Sequence, residues 1–235
     1  MQWLCNFSGL NVTRLAGGYK SYRQSLIAYF ANTPFQLKIL GGGTGSGKTE
    51  ILYALSDLGH QIVDLEKIAH HKGSAFGTIG ENAQLPNEQF ENNLFGAFFK
   101  CDPSKPIWLE NESRSIGRNH IPESLWWKMR SSILYNIDVN REVRLDRVMQ
   151  YYSHDADVEI LKEAFIKIKK RLGGHDFQIA MKALDTNDLR TAADVALRYY
   201  DKTYTFQIEN WDTHHVTYVT ACDDILDAAQ KLAQL

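Results

Sequence analysis

Nowhere in its 235 residues does the chain carry a run of about 18 apolar residues, the length a helix needs to cross a bilayer. Its N-terminus lacks a charged segment followed by an apolar stretch and a cleavage site, so no secretory leader is expected. Cysteine is scarce: Cys5, Cys101 and Cys222 lie far apart, with neither CxxC nor metal-ligand spacing. That pattern suits a reducing compartment, where each reads as a small apolar core residue rather than a nucleophile. A net charge of −2 gives no global basic signal for nucleic acid, so any RNA contact has to come from a local patch. The expectation is a soluble cytoplasmic protein. Its 44% apolar content supports a sizeable core, in one α/β domain or one domain with an appendage.

Against these absences stands one complete motif. Gly42-Gly43-Thr44-Gly45-Ser46-Gly47-Lys48-Thr49 satisfies G-x-x-x-x-G-K-[ST]. Phe35 to Leu40 alternates like a strand before it, and Ile51, Leu52, Leu55 and Leu58 recur at helical spacing after it. Glycines let consecutive backbone N–H groups curl round phosphate oxygens, and the following helix presents its positive end to the anion. Lys48 is placed to reach the outer phosphate, and the Thr49 hydroxyl to bind a magnesium ion bridging the phosphates.

Further along, strands are expected at Gln61–Leu65, Pro106–Leu109, Ser132–Val139, Thr203–Ile208 and Val216–Val219. Helices are expected at Tyr19–Ala31, across Phe90 to Phe99, after a capping Asn140, over most of Asp155 to Tyr200 with a break at Gly173-Gly174, and at Asp223–Leu235. His70 to Pro86 reads as a long loop of the kind that is usually functional. The alternation predicts an α/β fold: a P-loop NTPase-like parallel sheet flanked by helices, with a helical C-terminal extension.

Open sheets place ligand chemistry at the carboxyl ends of their strands, where Asp64 and Glu66 follow one strand and Glu110 and Glu112 another. Each carboxylate reads either as a magnesium-shell or general-base group or as a solvated or capping residue. Arg114 and Arg118 could neutralise charge on a leaving pyrophosphate or pair with these glutamates. The adjacent His70-His71 and His214-His215 pairs read as surface imidazoles. Arg141, Arg144 and Arg147, with Lys167, Lys169, Lys170 and Arg171, form a basic helical face: a candidate for nucleic-acid phosphate-backbone binding, or a solvated surface balanced by Glu159 and Glu163.

The phosphate loop, Val63-Asp64-Leu65-Glu66, Lys72-Gly73-Ser74-Ala75-Phe76-Gly77, Gln89-Phe90-Glu91-Asn92 and Glu110-Asn111-Glu112-Ser113-Arg114-Ser115-Ile116-Gly117 together resemble tRNA 2-selenouridine synthase. The phosphate loop is common to many NTPases, whereas the Gly-Ser-Ala-Phe-Gly and Glu-Ser-Arg-x-Ile-Gly segments are far more specific. Members of that family join an N-terminal rhodanese-like domain to a C-terminal P-loop domain. Val12 to Arg23 looks like the closing segment of the former.

The resemblance implies a residual rhodanese segment and linker helix at 1–31, a P-loop domain at 32–152, and a mainly helical extension at 153–235 with late strands completing it. Residues before Tyr19 are then expected to be poorly ordered or docked on a partner. The rhodanese catalytic cysteine is expected to be missing, and Cys5 is no substitute.

The implied reaction converts wobble 2-thiouridine in tRNA to 2-selenouridine through an S-geranylated intermediate, using geranyl diphosphate and selenophosphate. This chain would supply the diphosphate-binding, tRNA-binding and geranyl-transfer part, with a separate rhodanese-domain chain as candidate partner and no membrane. Lys48, Glu110, Glu112 and Arg114 are the implied catalytic set, with Asp64, Glu66, Ser74, Phe76 and Arg118 beside them, Thr49 for magnesium, and ATP as a further candidate ligand. Phe76, Phe90 and Trp126-Trp127 are candidates to line a groove for the apolar tail. A generic P-loop ATPase or small-molecule kinase is the alternative, and a non-catalytic tRNA-binding remnant a third reading.

Overall fold

The computed structural model describes residues 14–152, 157–209, 211, 215–220 and 222–235. The expectation for the segment before Tyr19 falls, at positions 1–13, outside the described residues, as does His214.

Helix α1 (Gly18–Asn32) leads into β1 (Leu37–Gly41), the phosphate loop and α2 (Lys48–Asp57). Strand β2 (Gln61–Val63) is followed by a short α3 (Leu65–Ala69), whose first turn is capped by the Asp64 carboxylate accepting from the Lys67 N–H at 2.8 Å. The expected strand at Gln61–Leu65 therefore stops at Val63. After the long loop come α4 (Asn87–Phe99) and β3 (Ile107–Glu110). A two-stranded ribbon, β4 (Ser115–Ile116) and β5 (Asn119–His120), turns at Gly117-Arg118, and α5 (Glu123–Arg130) follows. Strand β6 (Ile133–Ile137) and α6 (Arg141–Tyr152) precede a helical excursion of α7 (Val158–Leu172), α8 (Gly174–Asp185) and α9 (Leu189–Glu209). The chain then adds β7 (Val216–Val219) and α10 (Ile225–Ala233).

The main sheet runs β2-β3-β1-β6-β7 with every neighbour parallel. Parallel strands need crossovers, and the helices provide them on both faces. Alternation in β1 sends Ile39 into one core with Phe30, Phe90, Phe98 and Leu125, and Leu40 into the other with Ile51, Leu52, Leu55, Trp108 and Leu232. A third core joins α7, α8 and α9, with Phe76 and Ile79 of the long loop packed into it. This is the expected P-loop NTPase-like fold, and β7 belongs to the same sheet as the phosphate loop.

One expected element is corrected. Thr203 to Ile208 is not a strand but the end of α9. Its β-branched and aromatic residues favour a strand locally, yet Tyr200, Tyr204 and Ile208 stand four apart and form the inward stripe of a helix, while Phe206 is 67% exposed. Tertiary packing overrides the local preference.

Candidate functional site

The phosphate loop lies at the carboxyl end of β1, where the sheet order reverses direction. Gly45 has φ 76°, and a Cβ there would fall 2.5 Å from the Arg144 carbonyl oxygen, so only glycine fits beneath α6. Gly47, also left-handed, precedes the first turn of α2. The Lys48 ammonium donates to the Gly42 carbonyl at 3.0 Å. Ser46 is buried, with its hydroxyl unpartnered among the described residues.

Around the loop is a cleft of about 630 Å³, walled by loop residues 42 and 44–49, by Asp64, Glu66, Gly73, Ser74 and Glu112, and by Arg171, Tyr200 and Tyr204 of α7 and α9. The four strand-end carboxylates lie at the wall of the cleft or behind it, and their environments separate them. Asp64 caps α3 and also accepts from the Tyr53 hydroxyl at 2.9 Å. Glu110 is fully buried behind the wall, its Oε2 accepting from the Leu65 N–H at 3.1 Å. Burial holds it well above the usual carboxylate range, with Asp64 and Glu66 adding repulsion.

Glu66 and Glu112 face the cleft and share a hydrogen bond. Desolvation raises both; Glu112, with Glu66 beside it, is pushed up to about 8, against the pull of Lys48. Two carboxyls joined this way retain one proton at neutral pH.

The segment 72–77 closes one side. A Cβ on Gly73 would fall 2.5 Å from a Glu112 oxygen, so the loop passes directly over the carboxyl pair. The Tyr200 hydroxyl accepts from the Ala75 N–H at 2.9 Å, and Phe76 packs edge-on against Phe165 at 5.1 Å. His71, expected at the surface, is buried instead: its ring lies against Gly77 and Gly117 and leaves no room for a Cβ at either. Desolvation lowers its pKa. The two specific glycine-bearing segments thus meet across one imidazole. His70 is half-buried, with its Nδ1 3.3 Å from the Ala83 carbonyl.

The arginines divide in a way the sequence does not show. Arg114 is exposed, 3.8 Å from Glu123, and Arg118 is exposed beside the ribbon turn; neither lines the cleft. Arg144 instead grips Asp201 with two hydrogen bonds of 2.7 and 2.9 Å and donates to the Thr44 carbonyl at 3.2 Å. Arg147 donates to the Ser46 carbonyl at 2.8 Å, and Arg141 pairs with Asp194. These three guanidinium groups are turned onto the chain's own acceptors. Lys167, Lys169, Lys170 and Arg171 remain an exposed basic row on α7, with Lys169 over the Phe177 ring and Arg171 at the cleft.

Of the candidate tail-binding aromatics, Phe76 lies near the cleft, Phe90 is in the core on the other side of the sheet, and Trp126-Trp127 sits on α5, away from it. Sequence reading missed Tyr200, Asp201 and Tyr204, which hold the loops from α9. The four-residue spacing of Tyr200 and Tyr204 was the available signal, masked by the apparent strand. Cys101 is half-buried and Cys222 buried, neither in the cleft.

A magnesium ion fits this donor set as Mg²⁺ is usually held, by a loop hydroxyl and substrate phosphates rather than a protein cage. Thr49, Glu66 and Glu112 all face the cleft, and no cluster of three metal-binding side chains occurs among the described residues. No helix among the described residues is long and apolar enough to cross a membrane.

The chain is 38% identical over 240 residues to tRNA 2-selenouridine synthase of Shewanella piezotolerans, 36% to that of Shewanella woodyi and 33% to that of Hydrogenovibrio crunogenus. Each match covers 88% of this chain and 64% of the relative, so the chain spans about 64% of the length of these relatives. Among solved structures, a gluconokinase from Sinorhizobium meliloti 1021 overlaps 86% of this chain and 95% of its own at 11% identity, but a TM-score of 0.37 is too low for that likeness to carry weight beside the strand order. Residues 35–234 match the sequence profile of the tRNA 2-selenouridine synthase AAA domain. That match runs from the threshold of β1 into the residues after α10 and takes in the whole sheet, the phosphate loop and the helical excursion, so the chain belongs to the tRNA 2-selenouridine synthase AAA-domain family.

Proposed function

We propose that this chain acts in wobble-uridine modification of tRNA, as the part that binds a diphosphate donor and the tRNA and transfers a geranyl group to the sulfur of 2-thiouridine. The observation that carries the reading is the cleft in which the phosphate loop, Lys48 and Thr49 face the proton-sharing pair Glu66 and Glu112. The names of the relatives supply tRNA and selenouridine; geranyl diphosphate and selenophosphate come from the family resemblance.

In this reading the loop amides and Lys48 hold the diphosphate. A sulfur–carbon bond forms at the allylic carbon while the carbon–oxygen bond to diphosphate breaks, and the electron pair leaves with pyrophosphate. Lys48 and the loop N–H groups stabilise that charge. Magnesium held through Thr49 and the phosphate oxygens would add further charge neutralisation. The ionised member of the Glu66–Glu112 pair is placed to accept the proton lost from the base. The basic row from Lys167 to Arg171 is the tRNA-backbone contact. Selenation is assigned to a rhodanese-type cysteine, in this protein or a partner.

Mass spectrometry of 2-thiouridine tRNA incubated with the chain, geranyl diphosphate and Mg²⁺ tests the proposal. The expected product carries one geranyl group per thiouridine. Unmodified tRNA at high enzyme concentration would refute it, and rapid ATP turnover independent of tRNA would favour an ATPase or kinase.

A further inference from the structure

Beside the phosphate cleft lies a second, apolar chamber between the helices of the excursion. Its walls are aliphatic and aromatic side chains, among them Phe165, Leu184, Leu189 and Ala196. Thr44, Ser74, Val148 and Tyr200 line both spaces, so the chamber adjoins the phosphate loop across this rim. Protein interiors leave few voids, and one built from aliphatic walls beside an anion site suits a single ligand with an anionic head and an apolar tail.

We infer that the apolar tail of the donor occupies this chamber, an inference that rests on reading the adjoining cleft as a diphosphate site. At about 50 Å³ the chamber is well short of the roughly 150 Å³ that holds a benzene ring, so a tail has to displace part of its wall. Phe76 is the apolar wall residue carried by a loop rather than a helix. Its loop is bounded by Gly73 and Gly80, both at positive φ, and is tied to α9 by the Ala75 N–H to Tyr200 hydrogen bond. The tail enters as this loop yields. Donor binding therefore moves the segment that passes over Glu66 and Glu112.

Titration calorimetry of the full chain with inorganic pyrophosphate, dimethylallyl diphosphate and geranyl diphosphate tests this. Each added apolar unit is expected to tighten binding, with geranyl diphosphate at least about tenfold tighter than pyrophosphate. Ala196→Leu, which fills the chamber outside the cleft, should weaken geranyl diphosphate about tenfold or more and leave pyrophosphate unchanged.

Hydrogen exchange on the unaltered protein gives a second readout. The Ala75 and Phe76 amides should change protection with geranyl diphosphate and not with pyrophosphate. Equal affinities across the three ligands, or equal weakening of all three by Ala196→Leu, would overturn the chamber while leaving the diphosphate reading intact. Failure of every diphosphate to bind would overturn both.

Discussion

The hydroxyl of Tyr204 accepts a hydrogen bond from the backbone N–H of Gly42, the first residue of the phosphate loop, and donates to the Asn136 side chain at 2.8 Å. A residue 162 positions away thus sets the direction of the loop's opening amide. Desolvation raises the Tyr204 phenol, so it stays neutral and keeps its proton for Asn136. Tyr204→Phe should cost about 1–2 kcal/mol in a denaturant titration, because it leaves a partly buried donor and acceptor unpaired. It should also weaken pyrophosphate binding. An unchanged midpoint would mean that the loop holds itself.

Lys48→Ala should lower affinity for pyrophosphate and geranyl diphosphate by at least about 100-fold, since a fixed cation is lost from an anion site. Circular dichroism should show the fold retained, because the Lys48 ammonium donates to the Gly42 carbonyl of its own loop and joins no separate elements through that bond. Tight diphosphate binding by this variant would remove Lys48 from the site.

Arg144 and Asp201 join α6, α9 and the Thr44 carbonyl. A double-mutant cycle with Arg144→Ala and Asp201→Ala should give a coupling of about 1–2 kcal/mol, larger than the median exposed ion pair. Arg144→Ala should weaken pyrophosphate as well, by releasing the loop. Additive effects of the two substitutions would show that the pair is decorative.

Glu112 has its carboxyl raised to about 8 in the folded chain, from an ordinary value of 4.5 when unfolded. Between these values the folded state binds the extra proton, so stability is full below about pH 4.5 and falls as pH rises through 8. The ligand-free protein should melt lower at pH 8.5 than at pH 6, by about 2–3 kcal/mol, or about 5–10 °C. Glu112→Gln should flatten that slope. A midpoint rising over the same interval would contradict the shared proton.

Gly117 has φ 58°, and a Cβ there would collide with Gln84 and His71. Gly117→Ala should destabilise by about 2 kcal/mol or more. Solvent-exposed Gly174, with open space around it, is the control: the same substitution there should be neutral or mildly stabilising.

What the sequence makes legible here is local. The phosphate loop is read from eight adjacent residues, and Ile51, Leu52 and Leu55 bury the face of α2 that their spacing foretells. The carboxylates at strand ends are equally plain, but their division of labour is not. Glu110 and Glu112 stand two residues apart, and only the closing of α3 onto β3 makes one a buried strut and the other a cleft wall. Arg144 and Arg147 read as a basic surface because the carbonyls of Thr44 and Ser46 lie 100 and 101 residues away in sequence. His71 reads as exposed because nothing local records that Gly77 and Gly117 close over it.

The order of the strands in the sheet has a consequence for how the chain is made. Between β6 and its neighbour β7 the ribosome must deliver α6 and the whole excursion of α7 to α9, and α10, which packs on α2, emerges after that. Until then β6 is an open sheet edge, and the helix behind the phosphate loop lacks Ala228, Ala229 and Leu232 from its core. Contacts of such wide sequence separation form late, so the elements up to β6 wait, with an exposed strand, for β7 and α10. Chaperone engagement during translation should be concentrated in that interval.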